Sequence, residues 1–252
     1  GQEGKRVETS LVKGRGTASA VEGFSSDKQS PLPFPPLTRG VKATAFTLAE
    51  VLITLGIIGI VAAMTLPALV TKYQQHVTVT RLKAFNSTMS QAFQRAKLDY
   101  GDFSNWDLYS SCIYGNCAHI DGSITLSSLK KYVLPYIKYT DVYPTSTYIL
   151  VSLQNGSGFA TYNSNDSMVY FFCVKFSDCK QNPSTYNSRS RFLFQFKPDK
   201  GFGPYDYGWK GTRDEFFKMN EGHHACNKNQ GTGLCAKLIE YDGWIIKKDY
   251  PW

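Results

Sequence analysis

Charged side chains are scarce in this sequence of 252 residues, where Asp, Glu, Lys and Arg together make up 19%. Several enzyme motifs are missing as well, among them the G-x-S-x-G nucleophile turn, the phosphate-binding glycine loop and the H-E-x-x-H zinc motif. No cysteine spacing is C-x-x-C, which argues against a zinc ribbon or a thioredoxin-like site. The formal net charge of +8 comes from scattered basic residues, so we expect no nucleic-acid partner. These absences predict a protein that is not an enzyme.

One long apolar run dominates the N-terminal part of the chain. Residues 46–70 read FTLAEVLITLGIIGIVAAMTLPALV and contain one ionisable side chain, Glu50. A helix of this length covers about 37 Å, which is enough to cross a hydrocarbon core of about 30 Å. Arg39 and Lys42 precede the run, so the positive-inside rule places the N-terminal side in the cytoplasm. The sequence therefore predicts a single-pass transmembrane helix over 46–70.

The residues after this run keep a helical period over 71–98. Apolar side chains recur mostly at intervals of three and four residues, as expected for an amphipathic helix. The members of this stripe are Val70, Tyr73, Val77, Leu82, Phe85, Met89, Phe93 and Ala96. We therefore predict one continuous helix from Phe46 to Lys97, roughly 80 Å long. Ordinary globular helices are far shorter, and a half-exposed helix of this length needs other subunits to cover it.

Glu50 is the unusual residue of the membrane segment, because a carboxylate in a span is energetically expensive and is functional by default. If the chain is cut before Phe46, the new α-amine lies one helical turn from Glu50. Glu50 could then neutralise its own amine or that of an adjacent subunit. Alternatively, Glu50 lies near the helix start, reaches the lipid headgroups and is stabilised by the helix dipole. The spacing alone does not separate these two interpretations.

The segment AFTLAEVLITLGIIGIVAAMTLPAL resembles the prepilin-type cleavage and methylation segment of type IV pilins and type II secretion pseudopilins. This resemblance implies that a prepilin peptidase cuts between Ala45 and Phe46 and that the amine of Phe46 is then methylated. It also implies that Glu50 is the carboxylate needed for methylation or assembly. Pro67 matches the proline that this family places late in the membrane helix. The family usually has Gly before the cut, where this chain has Ala45.

The resemblance implies a pilin-like α+β fold, in which one long N-terminal helix packs on a C-terminal antiparallel sheet. The implied partners are other pilin-like subunits, the prepilin peptidase, the assembly platform and membrane lipid. The implied location is the bacterial inner membrane, with the N-terminus cytoplasmic, and then a periplasmic or surface filament. We expect a minor pilin or pseudopilin that serves as a structural subunit. The alternative is an adhesin, or a glycan- or DNA-binding protein, that uses the segment only as an anchor.

Residues 1–45 differ in composition from the rest of the chain. They are rich in Gly, Ser and Pro, and no Met occurs before Met64. Val41 can be encoded by GUG, an alternative bacterial start codon, which would give a compact leader containing Lys42. We interpret residues 1–45 as a disordered leader or as read-through of untranslated sequence, and we expect residues 1–40 to have no role in the mature fold.

The six cysteines fall into three pairs that are close in sequence. An even count downstream of a membrane segment predicts disulfides formed in an oxidising compartment. Six cysteines allow fifteen connectivities, and we favour local pairing because each pair encloses a short loop of turn formers or polar residues. The predicted disulfides are Cys112–Cys117, Cys173–Cys179 and Cys226–Cys235.

Residues 99–252 are predicted to form a β-rich exported domain. A short helix is expected over Ser127–Tyr136, capped by Ser127 or Ser128. Aromatic and branched runs between turn residues predict strands, and Asp242-Gly243 predicts a hairpin turn. The predicted strands are Tyr148–Leu153, Phe159–Tyr162, Met168–Phe176 and Phe192–Phe196, with Leu238–Tyr241 and Trp244–Ile246 forming the hairpin.

The loop over 199–217 is a candidate calcium site, because Ca²⁺ prefers six to eight oxygen ligands. Asp199, Asp206 and Asp214 would supply carboxylates, and some pseudopilins bind calcium in this part of the chain. Glycines and a proline in the same loop also describe an ordinary turn, which is the favoured interpretation.

Overall fold

The computed structural model describes residues 46–108, 110–111, 121–165, 167–220 and 222–252. The contacts within the chain divide it into two units, with the boundary between Val51 and Leu52. Its architecture is α+β, with a long apolar helix at the N-terminal side and an antiparallel sheet, as the sequence predicts.

Helices and strands follow one another in a simple order among the described residues. The helices are α1 (Leu48–Tyr100), α2 (Gly122–Tyr132), α3 (Phe176–Gln181) and α4 (Cys235–Tyr241). The strands are β1 (Tyr139–Pro144), β2 (Ile149–Leu153), β3 (Gly158–Asn163), β4 (Met168–Cys173), β5 (Arg191–Lys197) and β6 (Gly201–Pro204). Short 3₁₀ turns lie at Phe103–Asn105, Leu134–Tyr136 and Asp214–Phe217.

The six strands form one antiparallel sheet in the order β1-β2-β3-β4-β5-β6, so every strand pairs with its neighbour in sequence. Strands β2 to β5 lie where the sequence predicts them. The two edge strands were missed for physical reasons. Strand β1 is almost fully exposed and lacks the alternation of a half-buried strand. Strand β6 reads GFGP, which is a poor strand sequence because glycine and proline are depleted in strands.

Helix α1 packs on the sheet through a stripe that begins at Thr78. The buried residues of α1 are Thr78, Leu82, Phe85, Met89, Ala92, Phe93 and Ala96. Their spacing of mostly three and four residues is that of one helical face. Val70 and Tyr73, which the sequence assigned to the stripe, are 48% and 68% exposed. The stripe therefore starts about two turns later than predicted.

Phenylalanine rings make the contact between α1 and the sheet. Phe93 stacks on Phe196 of β5 with 3.9 Å between ring centroids and an interplanar angle of 4°. Phe85 stacks on Phe172 of β4 at 4.5 Å and meets Phe194 edge-on at 5.1 Å. Aromatic pairs of this kind contribute about 0.5–1.5 kcal/mol beyond the burial of their area. The rings thus fix α1 against the central strands.

Polar contacts fix the position of α1 along the sheet. The Thr78 hydroxyl donates to the Arg189 carbonyl at 3.2 Å, and the Arg81 guanidinium donates to the Val174 carbonyl.

The second helix, α2, begins at a different residue from the one predicted, because Asp121 caps it by accepting from the Ser123 amide at 2.9 Å. A helix that starts at Gly122 places Leu129 and Tyr132 in the core.

The predicted hairpin at Asp242-Gly243 is wrong, because Cys235–Tyr241 forms helix α4. Gly243 has a φ of +78°, and its amide donates to the Glu240 carbonyl at 2.9 Å, while the Trp244 amide donates to the Ile239 carbonyl at 2.7 Å. This pair of bonds is a Schellman helix end. The same left-handed glycine that closes a type I′ hairpin also ends a helix, so the dipeptide alone could not separate the two.

Two of the three predicted disulfides are present in the structure. Cys173 at the end of β4 is bonded to Cys179 of α3, and Cys226 is bonded to Cys235 at the start of α4. All four cysteines are fully buried. The third predicted pair, Cys112–Cys117, lies outside the described residues.

We expect Phe93→Ala to lower the free energy of unfolding by about 3–5 kcal/mol, since it leaves a cavity between α1 and β5. Leu98→Ala is the matched control on the same helix, because Leu98 is 85% exposed, and it should change stability by less than about 0.5 kcal/mol. Denaturant unfolding of the detergent-solubilised protein, followed by near-ultraviolet circular dichroism, measures both. Equal effects of the two substitutions would contradict the packing described above.

Peptide mapping without reduction should recover Cys173 with Cys179, Cys226 with Cys235 and, by the sequence prediction, Cys112 with Cys117. Replacing Cys226 and Cys235 together by Ala should cost about 2 kcal/mol of stability, because the bond closes a short loop in the unfolded chain. Recovery of cross-linked peptides from different pairs, or of free thiols throughout, would refute the local pairing.

Candidate functional site

The first half of α1 is an apolar surface that no other part of the described chain covers. Large hydrophobic side chains from Val51 to Val70 are between 42% and 77% exposed. Exposing one such side chain to water instead of burying it costs about 1.5–3 kcal/mol. Helix α1 is also long and apolar enough to cross a membrane, which no other helix among the described residues is. This surface therefore requires an apolar environment that the described part of the chain does not supply.

Three small residues lie on one face of this surface. Gly56, Gly59 and Ala63 are separated by three and four residues, so they share a face of α1. A Cβ added at Gly56 or Gly59 would meet no heavy atom within 4 Å. Small residues in a membrane helix allow the backbone of a second helix to approach closely. This face is therefore open to close helix–helix contact.

Pro67 lies inside α1 without ending it. Proline has no backbone N–H, so the Ala63 carbonyl loses its usual helical donor. The Thr71 hydroxyl donates to the Pro67 carbonyl at 2.9 Å one turn later. This bond is made to the carbonyl of Pro67 itself and does not replace the donor lost at Ala63. The predicted assembly proline thus lies in the apolar half of the helix, before the buried stripe begins.

Thr47 and Glu50 contact each other at the start of α1. The Glu50 amide donates to the Thr47 hydroxyl oxygen at 3.2 Å. The Thr47 amide and hydroxyl lie 3.4 Å and 3.5 Å from Glu50 Oε2. The arrangement is a capping box, in which a Thr and a Glu three residues later satisfy each other's exposed amides. The carboxylate contacts are long, so the cap restrains Glu50 only weakly.

The capping box adds a third role for Glu50 that the sequence analysis missed. Its signal, T-x-x-E immediately before an apolar run, was present at Thr47 and Glu50. The sequence analysis considered only the charge of Glu50. A cap and a charge partner make different demands, because a capping box accepts Gln at the last position whereas charge neutralisation requires the carboxylate.

The three acidic candidates for calcium do not form a cluster. Among the described residues, no group of three or more His, Cys, Asp or Glu side chains is arranged to hold a metal ion. Asp206 instead accepts from Gln195 Nε2 at 2.6 Å and from Lys200 Nζ at 3.2 Å. Asp199 is exposed after β5, and Asp214 begins a 3₁₀ turn. The carboxylate set named from the sequence is thus not brought together.

Ala45, on the N-terminal side of the expected cut, lies outside the described residues, as does all of 1–45. Phe46 is the first described residue, and its side chain is 78% exposed. The peptide bond before Phe46 therefore adjoins an exposed side chain and a helix that begins only at Leu48.

Comparison with known proteins yields one match. No curated protein and no solved structure matches the chain significantly. A family model for a family of unknown function, DUF6613, matches residues 68–252. The match begins inside α1, at the end of the apolar run, and contains the whole sheet. Because it covers more than half of the chain, the protein belongs to the DUF6613 family.

Proposed function

We propose that this chain is a minor pilin or pseudopilin, a structural subunit of a type IV pilus-like or type II secretion filament. The observation that carries the proposal is the uncovered apolar half of α1, which continues directly into a stripe buried against the sheet. A helix that served only as an anchor would need about 20 apolar residues. Here the same helix is also the central packing element of the exported domain.

Assembly exchanges lipid for protein around the first half of α1. Lipid tails are as apolar as leucine, so hydrophobicity alone gives no preference for a neighbouring helix. Close packing and polar contacts must therefore supply the preference for a neighbouring helix over lipid. The open face at Gly56 and Gly59 permits close packing, and Glu50 supplies the polar contact. The role is therefore mechanical, with subunits, a prepilin peptidase and an assembly platform as partners.

Glu50 acts in this proposal as the partner of a methylated amine at Phe46 of an adjacent subunit. In the membrane, a lone subunit can raise both groups to the headgroup layer. In a filament core the amine has no such escape, and an uncompensated buried charge costs about 3–5 kcal/mol. The carboxylate thus favours the assembled state over the free subunit.

The first prediction of the proposal concerns maturation. Mass spectrometry of the protein purified from cells should find N-methyl-Phe46 as its first residue, because Phe46 follows a small residue and begins the apolar run. Ala45→Gly should speed cleavage or leave it unchanged. Filament-incorporated protein that still carries residues 30–45 would contradict the proposal.

The second prediction separates the charge of Glu50 from its cap. Glu50→Gln retains a capping-box residue but removes the charge, whereas Thr47→Ala removes the cap hydroxyl and retains the charge. We expect Glu50→Ala and Glu50→Gln to be inserted and folded yet to enter filaments less than the parent by at least about a hundredfold, since an unpaired buried charge costs about 3–5 kcal/mol and each 1.4 kcal/mol is a factor of ten. Thr47→Ala should assemble, since losing a cap costs about 1 kcal/mol.

Fractionation of cells into membranes and sheared filaments measures these variants. Thr47→Ser restores the hydroxyl and is the matched control for Thr47→Ala. If Glu50→Gln assembles like the parent while Thr47→Ala does not, the cap is the functional feature and charge pairing is wrong.

A further inference from the structure

The face of the sheet opposite α1 carries a second cluster of buried side chains. Strand residues alternate between the two faces, so Phe172 and Phe194 contact α1 whereas Phe171 and Leu193 lie on the other side. This outer cluster contains Leu150, Ala160, Val169, Phe171, Cys173, Cys179 and Leu193. Half-buried tyrosines surround it.

A partly open cleft of about 480 Å³ lies on this outer face. Its volume falls in the range of small-molecule sites, about 300–1,000 Å³. Five tyrosines and one histidine supply much of its lining: Tyr148, Tyr162, Tyr186, Tyr205, Tyr207 and His224. The cleft is separate from the apolar surface of α1, so the filament proposal assigns it no role.

The aromatic rings form a continuous series along the cleft. Tyr162 and Tyr186 each lie nearly parallel to Phe171, at centroid distances of 6.2 Å and 6.3 Å from its ring. Tyr205 meets His224 edge-on at 4.8 Å. The ring centroid of Tyr207 lies 6.4 Å from that of Tyr205, and Tyr207 is 54% exposed. Rings held by their neighbours offer rigid apolar faces at little entropic cost.

Gln195 of β5 gives this aromatic cleft a buried polar group. The residue lines the cleft and is 4% exposed. Its Nε2 donates to Asp206 Oδ1 at 2.6 Å, but its Oε1 is buried without a hydrogen-bond partner among the described residues. Buried polar atoms are nearly always hydrogen-bonded in folded proteins. An acceptor left unsatisfied at such a site is suited to a ligand that donates a hydrogen bond.

Two tyrosines and the histidine of the cleft are neutral at pH 7. Burial raises the pKa of Tyr162 and Tyr186. Burial, and secondly the charge of His223, lower the pKa of His224. One basic side chain, Lys197, occurs among the described lining residues. Nucleic-acid grooves need several cations along the phosphate backbone, so the charge pattern favours an uncharged ligand.

We propose that this outer cleft binds a neutral carbohydrate, such as a short stretch of a polysaccharide. The apolar C–H face of a pyranose ring suits the tyrosine faces, and sugar hydroxyls suit the Gln195 carbonyl and the tyrosine hydroxyls. The combination of stacking faces, hydroxyl groups and one unsatisfied amide acceptor fits a polyol better than a lipid, which would leave the polar groups unpaired.

The proposal is tested with the full chain in nanodiscs, because many detergents carry sugar headgroups that would compete. The probes are the neutral tetrasaccharides of chitin, cellulose, starch and mannan, with a short oligothymidylate for comparison. Saturation-transfer NMR and calorimetry should find at least one tetrasaccharide that binds with a Kd of about 1 mM or lower, with transfer to its ring C–H protons.

Three substitutions locate the binding. Tyr207→Ala should weaken it about tenfold because a stacking face is lost, and Tyr207→Phe should retain it. Gln195→Met, which removes the amide acceptor at similar volume, should also weaken it about tenfold. Tyr139→Ala is the matched control, since Tyr139 is 39% exposed on β1 and lies outside the cleft.

Failure of all four tetrasaccharides to bind overturns the proposal, as does preferential binding of the oligothymidylate. Binding that Tyr207→Ala and Gln195→Met leave unchanged also overturns it, because the site would then lie elsewhere. None of these outcomes depends on filament assembly, so failure of the carbohydrate proposal would leave the proposed role as a filament subunit untouched.

Discussion

The contact between one stripe of α1 and the phenylalanine-rich face of the sheet holds the folded domain together. Phe85 and Phe93 project from a single face of α1. They contact Phe172 of β4 and Phe194 and Phe196 of β5. Because this face is fully used, the sheet has only its opposite face left for other contacts. Because the stripe begins at Thr78, the apolar side chains from Val51 to Val70 are not covered by any other described part of the chain. This contact thus leaves two surfaces uncovered among the described residues, namely the apolar half of α1 and the outer face of the sheet.

This separation gives each surface a distinct chemistry. The uncovered half of α1 is apolar, contains small residues and suits lipid or other helices. The outer face of the sheet is aromatic but polar at its edges, with tyrosine hydroxyls and Gln195 near one cleft. Family membership covers residues 68–252 and therefore includes the sheet and its outer face. A subunit that assembles through its helix could accordingly present the cleft on the outside of a filament.

Much of this organisation was predictable from the sequence, because periodicity reports burial directly. The apolar run, the helical stripe from Leu82 onward and the four central strands are strong periodic signals, and the structure contains them. The edge strands escaped prediction because exposed or glycine-rich strands carry no burial pattern. The hairpin prediction at Gly243 was wrong because a glycine in the left-handed conformation occurs both in hairpin turns and at helix ends. The cleft could not be foreseen, since its residues come from three strands and five loops and meet only after folding.

The most direct test of the account asks what touches the first half of α1 after assembly. A photoreactive amino acid at Ile57, which is 58% exposed in the isolated chain, can be irradiated in sheared filaments and its adducts identified by mass spectrometry. The account predicts covalent adducts with the N-terminal helix of another pilin-like subunit. Adducts with lipid alone, or a chain absent from every filament fraction, would contradict it.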